Sequence, residues 1–376
     1  MIRVILFIDK WSSGGIETYL LSHLEKMDLK KYNVRIVTSK KISDVYDFRL
    51  ESLGVELVEL LNKEYSPALR NIVLVRAFRQ FIKDNEADII HYHIYNAISM
   101  IYCYLASRKI RIRILHSHNS DIEPSRMRRL KVAIHKISRN LFIKYSTHRW
   151  ACSELAGNWL FGESDFEYKK NGILVDSFIY DDIKRNEFRL KNKIDSETIV
   201  LGTIGRMNTQ KNQYFLLKLM KKMKIANQNC RLYIVGEGPL RTEIENFIEM
   251  NNLDNIILYG VTNDIQMFLS GIDIFLLPSL FEGNPVSAIE AQSSGVKTIL
   301  SSKITKYAKI LDNTEILDIV DIDEWYNSII KSQANDNDSE ELRREANIIV
   351  RESGYAVEDT AENITNDYYR YFKEGI

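Results

Sequence analysis

Apolar runs of strand length alternate with amphipathic stretches along the chain. The strands predicted in the first half lie at 2–8, 34–38, 56–60, 88–93, 110–116 and 149–153. After the first strand, apolar residues recur at helical spacing, at Ile16, Tyr19, Leu20, Leu24 and Met27. Strands that alternate with helices in this way are typical of a parallel sheet covered by helices.

The same alternation begins again near Thr198. Short apolar runs that end in Gly or Ser are separated there by helical stretches at 212–225, 239–251 and 285–294. Residues 179–197 are charged and nearly free of apolar periodicity, which predicts a linker. We therefore predict an N-terminal α/β domain over 1–178 and a C-terminal one over 198–354, with a final tyrosine-rich helix at about 355–376. Two such domains joined by a linker suggest a ligand cleft between them.

Composition excludes several classes of protein. The chain has 376 residues, and its 51 Lys and Arg balance its 51 Asp and Glu, so its net charge does not favour nucleic acid. The cysteines, Cys103, Cys152 and Cys230, are widely spaced, which predicts a reducing, cytoplasmic environment rather than disulfides or a metal cluster. No run approaches the roughly 20 apolar residues that span a bilayer. Any membrane contact is therefore expected to be peripheral, at the inner face of the cell membrane.

A glycine turn, Ser12-Ser13-Gly14-Gly15-Ile16-Glu17, lies between the first predicted strand and helix. Glycine lets the backbone approach a ligand closely, and the N–H groups at a helix start suit phosphate. A plain strand-to-helix turn explains the pattern equally well. It is not the G-x-G-x-x-G pattern of dinucleotide-binding proteins.

A second loop, at 205–212, opens the second half in the same position after a strand. It carries Arg206 and Lys211, two cations that can neutralise a diphosphate and the charge that grows on it as it departs. The alternative is a pair of solvated surface charges. Their position after a strand favours a functional role.

A third loop, Phe281-Glu282-Gly283-Asn284-Pro285, precedes a helix that carries Glu290. Asn284 is the predicted helix cap, and Pro285 suits the first turn. Free N–H groups at 283–287 suit a phosphate or a hydroxyl, and carboxylates accept hydrogen bonds from sugar hydroxyls. The alternative is a capping acid and a surface glutamate.

Histidines stand at two strand ends: His91 and His93, then His116 and His118 followed by Asn119. Alternation along a strand places His91 and His93 on one face. No cysteine and no H-E-x-x-H pattern accompanies them, so we predict no metal. The D-x-D patterns at 321–323 and 336–338 lie late in the chain and are interpreted as solvated acids.

The stretch from Arg108 to Arg149 is strongly basic. Its cations are Arg108, Lys109, Arg111, Arg113, Arg126, Arg128, Arg129, Lys131, Lys136, Arg139 and Lys144. From Met127 onward, cations alternate with apolar residues at helical spacing, which predicts a basic amphipathic helix over about 125–148. Such a helix can lie on an anionic membrane surface, or pack on the core with a solvated basic face. Nucleic acid is disfavoured because no recognised binding module is present.

Taken in order, these motifs resemble the retaining glycosyltransferases of family 4, which have the GT-B fold. The segments that carry the resemblance are 13–17, 88–91, 116–119, 171–178, 205–212, 236–239 and the pair Glu282 and Glu290 at E-x7-E spacing. The string His116-Ser117-His118-Asn119 resembles the bacterial members that build capsules and exopolysaccharides. The resemblance implies an α/β protein of two Rossmann-like domains facing across a cleft, with the final helix returning to the first domain.

The resemblance also implies the roles of the site residues. Those with catalytic roles are His118, Glu282, Arg206 and Lys211. Those that bind the donor are Gly15, Arg206, Lys211, Gly236, Val261, Glu282, Gly283, Asn284, Pro285, Val286 and Glu290. Those on the acceptor side are Gly14, His93 and His116. His116 and His118 both remain candidates for the active-site histidine, with His118 favoured.

The expected reaction moves a hexose-type sugar from a nucleotide-diphosphate donor, with UDP-sugar favoured, to a polyprenyl-diphosphate-linked glycan or a similar acceptor. It is expected to need no metal or other cofactor and no nucleophilic side chain. Two other hypotheses fit the same architecture. The chain could be a nucleotide-sugar 2-epimerase, or a non-catalytic subunit that resembles a transferase. The intact set of Arg206, Lys211, Glu282 and Glu290 argues against the second of these.

Overall fold

The computed structural model of the chain describes residues 1–12, 14–61, 63–333 and 340–375. The chain divides into two compact units. The first unit comprises Met1–Gly172 and Val357–Ile376, and the second comprises Ile173–Ala356.

The first unit is built on a parallel sheet of seven strands in the order β3-β2-β1-β4-β5-β6-β7. Its strands are β1 (Ile2–Trp11), β2 (Tyr32–Lys41), β3 (Glu56–Glu59), β4 (Ile89–Ile94), β5 (Ile112–Ser117), β6 (His148–Ala151) and β7 (Glu167–Tyr168). Its helices before the second unit are α1 (Gly15–Lys26), α2 (Asp47–Leu53), α3 (Pro67–Asp84), α4 (Met100–Ser107), α5 (Arg128–Phe142) and α6 (Glu154–Phe161).

Both faces of this sheet are covered, so the central strand β1 is apolar over most of its length. Along β1, Val4 and Leu6 join one core cluster, and Ile5 and Phe7 join another on the opposite face. Successive side chains of a strand point to opposite faces, so one apolar run supplies both cores. For this reason an uninterrupted run such as 2–8 correctly predicts a central strand.

The second unit has a parallel sheet of six strands in the order β10-β9-β8-β11-β12-β13. Its strands are β8 (Ile199–Ile204), β9 (Cys230–Val235), β10 (Ile256–Gly260), β11 (Ile274–Leu277), β12 (Lys297–Ser301) and β13 (Thr314–Leu317). Its helices are α7 (Asp182–Lys191), α8 (Gln213–Ile225), α9 (Arg241–Met250), α10 (Ile265–Gly271), α11 (Val286–Ser293), α12 (Ile322–Gln333) and α13 (Glu340–Val350).

The prediction of a linker over 179–197 is wrong, because this segment contains α7 and belongs to the second unit. Phe188 of α7 is fully buried, and a side chain on Gly271 would collide with its ring. Ion pairs make the other contacts, such as that between Arg185 and Asp273 at 2.6 Å. A helix that docks with one aromatic ring and several charges carries no apolar periodicity. The chain instead passes between the units at Gly172–Ile173 and again at Ala356–Val357.

The last helix, α14 (Val357–Glu374), belongs to the first unit, which is where the resemblance places it. Its buried residues include Ile364, Tyr368 and Tyr371, which join the core cluster that contains α1. Among the described residues, no helix combines the length and the hydropathy needed to cross a bilayer.

In each sheet the strand order reverses direction once, between β1 and β4 and between β8 and β11. Ligands of open parallel sheets bind beyond the carboxyl ends of the strands at such a point. The predicted glycine turn and the 205–212 and 281–285 loops follow strands that flank these points, and the histidines lie toward the carboxyl ends of β4 and its neighbour β5.

Candidate functional site

In the second unit, three loops meet at the carboxyl ends of neighbouring strands. They are the β8 loop (205–212), the β9 loop (236–240) and the β11 loop (278–285). Backbone hydrogen bonds join the first two, from Met207 N to Glu237 O at 3.0 Å and from Leu240 N to Met207 O at 3.1 Å. A bond of 2.8 Å from Leu280 N to Gln210 O joins the third. The three loops therefore form one connected surface.

Glycine is required where the β8 and β9 loops approach each other. Gly236 has a φ of +129°, and a Cβ atom there would lie 2.3 Å from the carbonyl oxygen of Gly205. A Cβ on Gly238 would lie 2.3 Å from the carbonyl oxygen of Met207. Both contacts are with backbone, which cannot swing aside. The predicted donor-binding residue Gly236 thus has a clear structural role in holding the loops together.

Lys211 and Glu282 form an ion pair across the β8 and β11 loops. The Lys211 Nζ atom lies 2.7 Å from Oε1 of Glu282, and both side chains are largely buried. The Lys211 stem crosses Gly205, where a Cβ would lie 2.9 Å from the lysine Cε. The two residues that the sequence assigned to different motifs therefore act as one unit.

Gln210 is a site residue that the sequence analysis did not single out. Its Nε2 donates to Oε2 of Glu282 at 3.2 Å and to the carbonyl oxygen of Phe281 at 3.0 Å. This amide fixes the Glu282 carboxylate against Lys211. The only sequence signal for it was its place beside Lys211.

Arg206 is exposed, and among the described residues no carboxylate pairs with its guanidinium. Its backbone is held by a 3.1 Å hydrogen bond from Gln213 Nε2 to its carbonyl oxygen. A cation fixed at its backbone but free at its tip can take up an anion without first breaking an ion pair. Arg206 and Lys211 thus provide one available and one paired positive charge.

The helix after the β11 loop begins one residue later than predicted. Pro285 is the N-cap of α11, with extended backbone, and no side-chain cap is present, so the prediction of Asn284 as the cap is wrong. Proline has no N–H and a fixed φ, which suits it to this position as well. Gly283, Asn284 and Pro285 are buried, and the first-turn N–H groups of Val286 and Ser287 have no acceptor within the helix.

Glu290 lies in the second turn of α11 and is only 9% exposed. Burial raises the pKa of Glu290 to about 7, and the charge of Lys211 opposes that shift. No described residue makes a hydrogen bond to its carboxylate. Val261, also predicted to bind the donor, lies exposed at the carboxyl end of β10.

In the first unit, the glycine turn is braced by the glutamate that follows it. Glu17 is fully buried, and its Oε1 accepts hydrogen bonds from Ser12 N at 2.7 Å and Ser12 Oγ at 2.8 Å. Gly14 is the N-cap of α1, and Gly15 is its first residue. A Cβ on Gly14 would lie 2.8 Å from Oε2 of Glu17, so the small residue makes room for this brace.

The four strand-end histidines form one buried group. His91 and His93 share a face of β4, as predicted, with ring centroids 4.1 Å apart. His91 Nε2 lies 3.2 Å from His116 Nδ1, and His93 Nδ1 lies 2.8 Å from His118 Nε2. Tyr368 contacts the group through its hydroxyl, 2.6 Å from His91 Nδ1.

Burial keeps these imidazoles neutral. It lowers the pKa of His118 to about 3 and holds the pKa values of His91, His93 and His116 well below their usual range. In each imidazole pair the accepting ring must be neutral, because its nitrogen needs a free lone pair. The group can therefore fix ring tautomers but cannot supply positive charge.

Exposure separates the two candidates for the active-site histidine. His116 is fully buried, whereas His118 keeps 9% of its surface exposed. His93 is 1% exposed. The structure therefore does not support direct acceptor contact by His93 and His116, because neither side chain reaches solvent. His93 and His116 hold the histidine group together, and His118 is its least buried member.

Two sets of residues bear on the prediction that no metal is bound. His91, His93 and His116 each offer a ring nitrogen within 4.8 Å of the others. Ligands of one tetrahedral zinc ion are roughly 3.3 Å apart. His91 Nε2 and His116 Nδ1 lie 3.2 Å apart, so the absence of a metal stays a prediction. Asp321 instead accepts a hydrogen bond from Asp323 N at the start of α12. The pattern at 336–338 lies outside the described residues.

Comparison with known protein families gives two matches. Residues 13–162 match the model of glycosyltransferase family 4, and residues 184–348 match the model of glycosyl transferases group 1. The first match lies within the first unit, and the second lies within the second unit.

Curated relatives cover most of the chain. The putative glycosyltransferase EpsF of Bacillus subtilis is 29% identical over 314 residues, covering 81% of this chain and 80% of that protein. A protein of Escherichia coli named UDP-Gal:alpha-D-GlcNAc-diphosphoundecaprenol alpha-1,3-galactosyltransferase is 23% identical, covering 85% and 84%. The capsular polysaccharide biosynthesis glycosyltransferase CapH of Staphylococcus aureus is 24% identical, covering 82% and 84%.

Solved structures share the fold at low sequence identity. Alr3699/HepE of Anabaena, in complex with UDP-glucose, has a TM-score of 0.81 at 15% identity and covers 98% of this chain and 100% of its own. Sucrose-phosphate synthase of Thermosynechococcus elongatus has a TM-score of 0.80 at 16% identity and covers both chains fully. These likenesses confirm the predicted GT-B fold class, with two Rossmann-like domains.

Proposed function

Because the chain belongs to the glycosyltransferases whose two domain models it matches, we propose that it transfers a hexose-type sugar from a UDP-sugar with retention of configuration. The proposed acceptor is a polyprenyl-diphosphate-linked glycan, in capsule or exopolysaccharide synthesis. The observation that carries the proposal is the placement of Arg206 and the Lys211–Glu282 pair beyond β8 and β11, where the strand order reverses.

The cations act on the leaving group. When the bond between the anomeric carbon and the diphosphate oxygen breaks, its electron pair stays on the diphosphate. Arg206, Lys211 and the N–H groups at the start of α11 stabilise that growing negative charge, which lowers the barrier without a metal. The acceptor hydroxyl attacks from the same face, and its proton passes to the departing phosphate oxygen.

The carboxylates bind hydroxyl groups of the donor. Glu282 contacts the transferred sugar, and Glu290 contacts the ribose. Gln210 and Lys211 hold Glu282 in place at 3.2 and 2.7 Å, so the sugar meets a fixed acceptor of hydrogen bonds. Because Glu282 is held in place before the donor binds, the free energy of donor binding can orient the anomeric carbon for attack.

The first unit supplies the remaining contacts. His118, the least buried member of the histidine group, contacts the transferred sugar, and the turn at Gly14 and Gly15 approaches the phosphate. A neutral imidazole held by His93 at 2.8 Å offers one defined donor or acceptor to that sugar. His118 is thus proposed as an uncharged contact, not as a general acid.

The relatives support the choice of donor and acceptor. The name of the E. coli relative specifies a UDP-linked sugar and a diphosphoundecaprenol-linked acceptor, and CapH is named for capsular polysaccharide biosynthesis. HepE was solved with UDP-glucose. An acceptor of this class is embedded in the membrane, so the enzyme is proposed to work at the inner membrane face.

A donor panel tests the proposal. The melting temperature of the full chain is measured with UDP-, GDP- and ADP-sugars, with and without EDTA. A ligand that binds only the folded state raises it by mass action. We expect a rise with UDP-sugars that EDTA does not change.

Product analysis then separates the alternatives. With donor and acceptor together, UDP and a glycosylated acceptor should form. A new sugar nucleotide formed from donor alone would instead identify a 2-epimerase. Absence of any stabilisation by a nucleotide sugar would refute the proposed function.

A further inference from the structure

Helix α5 has its apolar side chains on the outside. Met127, just before the helix, and Leu130, Ile134, Ile137 and Leu141 recur at intervals of three and four residues. They form the apolar row, whose members are between 41% and 59% exposed. A soluble helix normally turns such a row toward the core.

The side of α5 that packs against the rest of the first unit is instead polar except at its last residue, Phe142, which contacts the core. His135 and Ser138 are its buried residues. His135 Nδ1 accepts from Ala97 N at 3.0 Å, its Nε2 donates to the carbonyl oxygen of Trp159 at 2.9 Å, and its ring stacks on that of Trp159. The helix is thus fixed by hydrogen bonds and stacking. This arrangement rules out the alternative in which the apolar row packs on the core.

The surface around the apolar row is positively charged. The chain has no Asp or Glu between Glu123 and Glu154. Arg128 is paired with Asp121 at 2.7 Å. The other exposed cations of this stretch form no ion pair with any described residue; they are Arg126, Arg129, Lys131, Lys136 and Lys144.

We propose that α5 lies on an anionic lipid bilayer, with the apolar row inserted at the level of the headgroups and the cations against lipid phosphates. Helices with an apolar row, a basic face and low net hydropathy bind in this way. The 15 residues of α5 give a contact about 22 Å long.

The positive charge around the apolar row favours an anionic bilayer over other binding partners. A second copy of the chain would bring two basic surfaces together, which like charges oppose. Nucleic acid would satisfy the cations but would leave the apolar row in water. A bilayer of anionic lipids satisfies both.

The docked position has a consequence that rests on the proposed function. Residues 118–127 connect His118 directly to α5, so the helix begins at the carboxyl edge of the first sheet. Docking through α5 brings that edge toward the headgroups, where the diphosphate of a lipid-linked acceptor lies. The basic helix then serves both to hold the enzyme and to collect its acceptor.

Flotation of the full chain with lipid vesicles tests the docking without any sugar donor. Vesicles of phosphatidylcholine with 30% phosphatidylglycerol are compared with pure phosphatidylcholine, at low and high salt. The apolar variant is Ile134→Ser with Ile137→Ser, and the charge variant is Arg129→Gln, Lys131→Gln and Lys136→Gln. Since these side chains are exposed, the melting temperature should not change.

The wild-type chain should float with the anionic vesicles and should be released by salt, because each basic residue near the surface contributes about fivefold to partitioning. Both variants should partition at least about tenfold less. The control variants lie in the second unit: Ile183→Ser with Leu190→Ser, and Lys191→Gln with Lys218→Gln and Lys309→Gln. They should float like the wild type.

Three outcomes would overturn the proposal. They are no flotation of the wild-type chain, equal flotation of the variants, or a dimer in solution that the apolar variant abolishes. None depends on nucleotide binding, so this proposal and the proposed function fail independently.

Discussion

The two units place their candidate residues toward the carboxyl ends of strands in the same type of sheet, yet the chemistry at the two places is opposite. All seven histidines of the chain belong to the first unit, at positions 23, 91, 93, 116, 118, 135 and 148, and the second unit has none. The loops of the second unit carry Arg206 and the Lys211–Glu282 pair instead, and helix α11 carries Glu290. One site is made of neutral rings, and the other is made of charges.

The difference follows from which ionisable side chains each unit buries and which partners they have there. The imidazoles of the first unit are buried against one another and against Tyr19, so desolvation keeps them neutral. In the second unit, Lys211 and Glu282 neutralise each other, and Glu290, which has no such partner, has its pKa raised to about 7. A neutral site suits orientation of a sugar, and a charged site suits a leaving group that becomes negative.

Mild acid should therefore act on the units in opposite directions. For the buried histidines the folded pKa lies below the unfolded one, so their contribution to stability is complete above pH 6.5 and is lost as the pH falls. Below pH 6.5, each histidine that stays neutral in the folded protein lowers the free energy of unfolding by about 1.4 kcal/mol per pH unit. His118, with a folded pKa of about 3, should alone lower the opening free energy of β5 by about 1.4 kcal/mol from pH 8 to 5.5, and His91, His93 and His116 act in the same direction.

Glu290 has the opposite sign. Its folded pKa, about 7, lies above the unfolded one, so its contribution is present at low pH and is lost as the pH rises through 7. Over the same interval β8 and β11 should gain about 2 kcal/mol. Hydrogen exchange by mass spectrometry measures both units in one sample. A parallel fall in both would show that the contrast between neutral and charged sites is wrong.

Replacing Lys211 by alanine should break the charged site. Loss of a fixed cation at the leaving group is expected to lower kcat about 100- to 1,000-fold in a UDP-release assay. The change also removes the positive charge that faces the buried Glu282 carboxylate, which lowers stability. The double variant Lys211→Ala with Glu282→Gln should recover the melting temperature but not the turnover.

Lys218→Ala is the matched control for Lys211→Ala, since Lys218 is an exposed lysine of α8. It should retain full turnover. Wild-type turnover in Lys211→Ala itself would remove the lysine from the mechanism.

The glycines that hold the two sites should differ in cost. Gly236→Ala forces a positive φ and a 2.3 Å contact with backbone, so it should destabilise the second unit by about 2–3 kcal/mol. Gly14→Ala meets only the tip of Glu17, which can move, and should cost less than about 1 kcal/mol. At Gly54 φ is +65°, but a Cβ would meet no atom within 4 Å. The variant Gly54→Ala therefore measures the cost of the positive φ alone. Urea unfolding measures all three, and equal costs would contradict the close approach of the two loops.

The sequence was sufficient for features that depend on local pattern. A central strand that is buried on both faces, such as β1, is a nearly continuous apolar run. Glycine, proline and charged residues mark the loops after β8 and β11. Helix α7 was missed because its single buried ring, Phe188, leaves no periodicity. Gln210 was missed because an amide that braces a carboxylate across two loops has no pattern in one of them.

The orientation of an amphipathic helix also lies beyond the sequence. The pattern over 125–148 correctly indicated a basic amphipathic helix, which the structure bounds as α5 at Arg128–Phe142. It could not show that His135 would be the buried side, because that depends on Ala97 N and the carbonyl oxygen of Trp159, which the fold brings there. Likewise, only burial separates His116 from His118.

The smallest effect concerns Glu290 and the affinity for UDP. An ionised carboxylate is a stronger acceptor for ribose hydroxyls than an amide, so Glu290→Gln should weaken UDP binding about tenfold at pH 8. As the pH falls through 7 the wild-type carboxylate gains a proton, and its advantage over the glutamine variant should disappear.

The terminal phosphate of UDP itself titrates near pH 6, as phosphate esters do. The informative quantity in calorimetry is therefore the difference between the two proteins, in which that titration cancels. Glu243→Gln, an exposed change on α9, should follow the wild type. If the tenfold gap were absent at pH 8, or persisted unchanged at pH 6, Glu290 would be a buried structural acid and the charged site would consist of the two loops alone.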